Sequence, residues 1–195
     1  MSIVVEHGKR QKQILGKALN VFMEEGYENA TYQKIADRCK ITRTTLYLYF
    51  RNKQEIFNFS IKQFMEELEQ DILEIKENKT LSIPEKLKKT LLLILSRMEE
   101  NRLLLSVVLN YLLSKKPIQP GIFVRRRTIR LRHILSAVLI EGIKNGQLRK
   151  IDVGATNDLL YSLLEAAIFH LTVLKQESTA ELKKAVETQV NSICL

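Results

Sequence analysis

The stretch Thr31–Lys53, TYQKIADRCKITRTTLYLYFRNK, decides the fold. Its spacing predicts two short helices joined by a tight turn. Thr31 stands where a side-chain oxygen accepts from the free N–H groups that open a helix, here one running to Cys39. Lys40 and Ile41 form the turn, and Thr42 caps a further helix that ends near Phe50. Ile35 and Ala36 are spaced to pack against Leu46 and Phe50, which leaves Thr42, Arg43, Thr44, Thr45, Tyr47 and Tyr49 facing outward. A helix this short and this rich in hydroxyls, aromatics and cations makes a poor core element. It suits a DNA major groove, which admits one α-helix. The stretch reads as a helix-turn-helix.

On its N-terminal side, Ile14, Leu15, Ala18, Leu19 and Phe22 recur at helical spacing and predict a helix from Lys9 to Glu25. Gly26 is placed to end it in a left-handed conformation. On the C-terminal side, Asn52 caps a helix from Lys53 to Lys76. Further helices are expected from Pro84 to Glu99, from an Asn101 cap to Ser114, from Ile122 to Lys144, from Gly154 to Leu174 behind Asp152, and from Thr179 to Ile193. Pro117 and Pro120 mark a loop, and Asn145-Gly146 a stop. No strand pattern competes. The expected architecture is all-α, with nine helices. A three-helix helix-turn-helix head occupies residues 1–52, and a helical effector-binding and dimerisation domain occupies 53–195.

The bulk properties agree. The chain has 195 residues and 45% hydrophobic content, enough for a packed core, and its 7 Gly and 3 Pro leave few breaks in long helices. A net charge of +9 favours polyanionic partners, nucleic acid first. Cys39 and Cys194 fit no ligand spacing and suit a reducing cytoplasm. No apolar run is long enough to span a membrane, and the N-terminal residues lack the apolar segment of a signal peptide.

From Lys9 to Phe57 the chain resembles the TetR family of bacterial transcriptional regulators. The resemblance rests on Thr31 with Ile35-Ala36, and on Tyr47-Leu48-Tyr49-Phe50 followed by Lys53 and Glu55. Lys40 departs from the family pattern, which has Gly in the turn, and a left-handed backbone there costs some stability. The resemblance implies a homodimer on a near-palindromic double-stranded DNA operator, with half-sites about 34–36 Å apart or a multiple of this. It implies a repressor released from that operator by a small apolar or amphipathic effector, with no cofactor and no metal.

Carried onto this chain, the DNA-binding residues are Thr31, Thr42, Arg43, Thr44, Thr45, Tyr47, Tyr49 and Lys53. Arg43 and Thr44 lie where base edges are reached. Tyr47, Tyr49 and Lys53 match phosphate contacts. Tyr47 fits a packing role equally well, and Leu48 stands against either the DNA backbone or a thymine methyl. The effector pocket is expected among Phe64, Leu68, Leu104, Val107, Val108 and Tyr111, with Phe123, Arg127, Tyr161, Glu165 and Phe169. A four-helix dimer interface is expected from Leu160, Leu163, Leu164, Ala167, Leu171, Val186 and Val190 on the last two helices.

Between Lys115 and Lys150 stand ten Lys or Arg against one acid, Glu141, a surplus equal to the net charge of the whole chain. The ordinary meaning of such a run is a solvated face. Arg127 lies in line with Leu131, Ile134 and Val138, so it either snorkels to water or holds an anion at the pocket mouth. Two rival functions remain. An enzyme lacks support, since the chain shows no nucleophile–base pair, metal-ligand cluster or phosphate loop, and His7, His133 and His170 are scattered. A DNA-binding regulator or chromosome organiser controlled by a protein partner, without a small effector, is the other.

Overall fold

The computed structural model describes residues 2–113 and 120–195, excepting the side chains of 2–5 and 120–128. Among the described residues there are nine helices and no strand, only an isolated bridge between Leu148 and Cys194. They are α1 (Ser2–Asn29), α2 (Tyr32–Cys39), α3 (Arg43–Tyr47), α4 (Lys53–Glu77), α5 (Ile83–Glu100), α6 (Arg102–Leu113), α7 (Pro120–Lys144), α8 (Val153–Thr172) and α9 (Ala180–Ser192). No described helix is long and apolar enough to cross a membrane.

The chain divides into two compact units. One comprises Met1–Met65 with Leu103–Pro117, the other Glu66–Arg102 with Ile118–Leu195. The boundary expected at 52/53 therefore falls inside the first unit, which also takes in most of α6.

In the first unit, Ile14, Leu15, Ala18, Val21 and Phe22 of α1 are buried with Ile35, Ala36 and Cys39 of α2 and with Leu46 and Phe50. Gly26 interrupts α1 at φ 75°, ψ 155°. The positive φ was expected, but this ψ lies outside the left-handed helical well, in a region essentially reserved for Gly. A further turn follows before Ala30. The head then gains an aromatic cluster. The Tyr111 ring of α6 stands edge-on to Tyr27 at 4.7 Å and lies 5.1 Å from Phe57. Phe57 in turn meets Tyr27 at 5.0 Å and Phe22 at 5.9 Å. Burial, followed by the neighbouring Tyr111 and Glu28, pushes the Tyr27 phenol up to about 12, so it stays protonated.

In the second unit α5 packs on α7, α8 and α9, and α8 packs on α7 and α9. Leu87, Leu91, Ile94 and Leu95 of α5 are buried with Leu135, Leu139, Leu160, Leu164, Ala167, Leu182, Val186 and Val190. The start of α5 is a capping box. Glu85 N–H donates to the Ser82 hydroxyl, and Ser82 N–H donates to the Glu85 carboxylate at 2.8 Å. Asn101, expected to cap α6, instead closes α5, its amide donating back to the Arg97 carbonyl at 2.9 Å. Asp152 caps α8 as expected, accepting from Ala155 N–H at 2.9 Å.

The Thr179 side chain leaves the start of α9 uncapped. Glu99, 80 residues earlier, supplies the acceptor, taking the Thr179 N–H, the Thr179 hydroxyl at 2.7 Å and the Lys183 ammonium at 2.7 Å. Burial raises the Glu99 carboxyl, but those three bonds together hold it below its ordinary value. A depressed folded-state pKa gives stability that is fully present above the unfolded carboxylate value of about 4.3 and is lost as pH falls through the folded value. Glu99→Gln is expected to cost about 1–3 kcal/mol at pH 7. The loss should shrink on acidification below that window, as measured by urea unfolding across pH.

Candidate DNA-binding surface

Thr31 and Thr42 both cap as expected, accepting from Lys34 N–H at 3.2 Å and from Thr45 N–H at 3.0 Å. Between them Lys40 takes the left-handed conformation, φ 57° and ψ 45°. Its N–H donates to the Asp37 carbonyl at 2.9 Å, and Ile41 N–H closes the turn on the Ala36 carbonyl at 3.1 Å. A lysine thus does a glycine's work here, at roughly 1–2 kcal/mol of local strain. Arg38 pairs with Glu24, and Lys34 with Glu25, binding α2 to α1. These exposed pairs fix orientation more than they add stability.

The third helix is shorter than expected, running from Arg43 to Tyr47 with Leu48 as its C-cap. Leu46 and Phe50 are buried beneath it. Arg43, Thr44, Tyr47 and Leu48 are exposed, and Thr45 and Tyr49 are half-buried. The Thr45 hydroxyl is hydrogen-bonded to that of Thr42 at 2.9 Å. Tyr47 combines the two roles open to it. Its ring stacks on Tyr32 at 4.7 Å, yet it stays 50% exposed with its hydroxyl accepting from Arg43 at 3.4 Å.

Tyr32 and His7 were not anticipated. The Tyr32 hydroxyl donates to the Phe50 carbonyl, tying the start of α2 to the end of the reading segment. Its phenol, pushed up to about 12 chiefly by burial and then by Tyr47, remains a donor. His7 stacks on Tyr49, ring centroids 4.6 Å apart. No pattern along the chain signals either pair, because the partners are brought together by the packing of three helices.

Lys53 corrects an expectation. All three of its N–H donors find backbone acceptors, the carbonyls of Tyr27 at 2.8 Å, Glu28 at 2.9 Å and Ala30 at 3.0 Å. Its ammonium also lies 4.8 Å from the Tyr27 ring centroid. Burial lowers its pKa and the nearby Glu28 works the other way. The free carbonyls at a helix end attract a cation. Lys53 therefore closes α1, and a phosphate beside α4 would meet its field without a hydrogen bond from it.

Residues 14–58 match the model of bacterial regulatory proteins, tetR family. Residues 14–58 are thus a tetR-family DNA-binding region. It is 28% identical over 173 residues to the fatty acid metabolism regulator protein of Bacillus subtilis, covering 82% of this chain and 83% of that protein. The structure of the regulator FadR from Bacillus subtilis in complex with stearoyl-CoA superposes with a TM-score of 0.67 at 25% identity, over 92% of this chain and 96% of that one. The ketosteroid regulator KstR2 of Mycobacterium tuberculosis gives 0.75 at 19% identity over 95% of each chain, a likeness of fold alone. The chain is a helix-turn-helix transcriptional regulator.

The remaining candidates of this regulator are placed as follows. Phe64, Leu68, Leu104, Val107 and Tyr111 are buried, Val108 and Tyr161 half-buried, and Glu165 and Phe169 exposed. Arg132, paired with Asp158, lies 4.8 Å over the Tyr161 ring. The side chains of Phe123 and Arg127 lie outside the described residues. The second unit carries an open cleft of about 340 Å³ lined by Asp71, Glu74, Ile75, Asn78, Leu81, Lys89, Leu93 and Arg97, none of them an expected effector contact.

The expected interface residues need correcting. Leu160, Leu164, Ala167, Leu171, Val186 and Val190 are buried in the protomer's own core, and only Leu163 reaches the surface. They hold α8 to its neighbours within one chain and are not available to a second. Lys53→Met, which keeps the stem and removes the donors, is expected to lower stability by about 2–4 kcal/mol. Denaturant unfolding at an unchanged m-value would register it.

Proposed function

We propose that this regulator acts as a repressor, binding a near-palindromic operator as a homodimer and leaving it when a small amphipathic effector, an acyl chain with an anionic head, occupies the helical body. The observation that carries the DNA-binding half is the exposed Arg43, Thr44, Tyr47 and Leu48 surface set over a buried Leu46 and Phe50. Arg43 offers a two-pronged donor to a guanine edge. Thr31, Thr42 and Tyr49 flank it as phosphate contacts. The effector half is supported by likeness to a fatty acid metabolism regulator and to a regulator with stearoyl-CoA bound. Phe64, Leu104 and Val107 of the first unit are buried and apolar, the kind of wall an acyl chain needs.

The dimer face supported by exposure is a second stripe of α8, one facet round from the expected one. Leu159, Phe169 and Val173 are about half exposed, with Leu163 and Ala166 half-buried between them. These positions recur at helical spacing on one line. Release follows if the effector binds unequally to the two head arrangements, since equal affinity shifts nothing. α4 is an unbroken helix from Lys53 to Glu77, with its first half in one unit and its second in the other, and it is the conduit for that shift.

The test is binding to DNA upstream of the protein's own coding sequence against scrambled DNA, at two salt concentrations. Specific binding that outlasts the higher salt supports the regulator, and release by stearoyl-CoA as probe supports the acyl effector. Weak binding to both duplexes, lost together as salt rises, leaves only the phosphate attraction. Arg43→Ala should weaken operator binding roughly 5- to 150-fold with little change on scrambled DNA. Phe169→Glu should convert dimer to monomer in sedimentation velocity and weaken operator binding in step. A monomeric wild type would free this stripe for a different protein and favour control by a protein partner.

A further inference from the structure

Leu48 is the exposed apolar residue of the reading segment, and the mechanism above gives it no task. It is 73% exposed, whereas Leu46 two positions earlier is fully buried. Leu48 keeps helical geometry, φ −67° and ψ −20°, with its N–H donating to the Thr45 carbonyl at 3.2 Å. The helix direction therefore extends through it. Residues two apart on a helix differ by about 200°, so Thr44 and Leu48 both lie opposite buried Leu46. Four residues apart, they share one line. Arg43 and Tyr47 form the adjacent line. The surface opposite the core thus carries a polar line and, beside it, a crest that begins in Thr44 and ends in Leu48.

Leucine neither donates nor accepts a hydrogen bond. Against a phosphate it would strip water from an anion and offer nothing in exchange. Left in water it forgoes the benefit of burial. In the major groove the one apolar group that projects from a base edge is the 5-methyl of thymine. We infer that Leu48 is a specificity-determining residue that reads a thymine methyl, with Thr44 meeting a second one along the same crest. Four residues rise about 6 Å, close to two base-pair steps of about 3.4 Å, which sets the expected separation of the two thymines. This inference rests on the DNA-binding reading.

The experiment starts by selecting duplexes bound by the intact protein from a random-sequence library. Each thymine of the selected half-site is then replaced singly by deoxyuridine, which removes only the methyl. Two positions, about two base pairs apart, are each expected to weaken wild-type binding about fourfold, the transfer worth of one buried methyl group; the first is the one that Leu48 meets. Leu48→Ala should be insensitive at that position and sensitive elsewhere. Thr44→Ser, which keeps the hydroxyl, should lose sensitivity at a thymine about two base pairs away. Unchanged thermal unfolding of both variants shows that the fold is intact. A selected operator in which no thymine is sensitive to deoxyuridine, or a Leu48→Ala profile identical to wild type, overturns the inference while leaving the regulator standing. Failure to select any sequence overturns the DNA-binding reading itself.

Discussion

The ammonium of Lys53 is the constraint on which the head depends. Three carbonyls converge where α1 ends and α2 begins, and a helix end of that kind leaves acceptors that must be satisfied. One side chain from the start of α4 satisfies them and sits against the Tyr27 ring as well. This fixes the start of α4 against the end of α1. With both ends of the intervening segment fixed, α2 and α3 have little freedom in how they present their outer face. The Glu24–Arg38 and Glu25–Lys34 pairs act in the same direction with weaker, screened forces.

The reading helix inherits its order from this frame. Five residues of helix have no independent stability in water, since nucleation alone exceeds what so few hydrogen bonds return. The Thr42 cap, the burial of Leu46 and Phe50, and the Tyr32 ring beneath Tyr47 hold it in place. The backbone is therefore ordered before any DNA arrives. What remains to be fixed on binding is a handful of side chains, of which Tyr47 is already braced and Arg43 lies within reach of its hydroxyl.

Much of this was legible in the sequence, because it depends on local chemistry. Thr31, Thr42, Asn52 and Asp152 are caps by residue type and position, and each accepts the expected N–H. The left-handed Lys40 followed from the resemblance, whose pattern has Gly at that place in the turn. What escaped was non-local. Lys53 reads as a phosphate ligand because its neighbours lie at a helix start, and nothing nearby reveals carbonyls 23 to 26 residues away. The Glu99 acceptor for α9 lies 80 residues from its donor. α8 is apolar on more than one facet, so periodicity found the stripes without showing which one its own protomer buries. Leu160 and Leu164 took the core, leaving Leu159 and Phe169 outside. Pro84 is the conspicuous start signal of α5, yet Ser82 and Glu85 carry the capping box.

The Tyr27, Phe57 and Tyr111 cluster has a consequence for the order in which the molecule forms. Its members come from three separate regions of the chain, and the last of them stands past the midpoint of 195 residues. During synthesis the helix-turn-helix leaves the ribosome early, but its aromatic support waits for α6. Until then the Tyr27 and Phe57 rings lack their third partner, and that face of the young head stays open to water. The segment that reads DNA is made early, whereas the aromatic face behind it is completed only when α6 emerges.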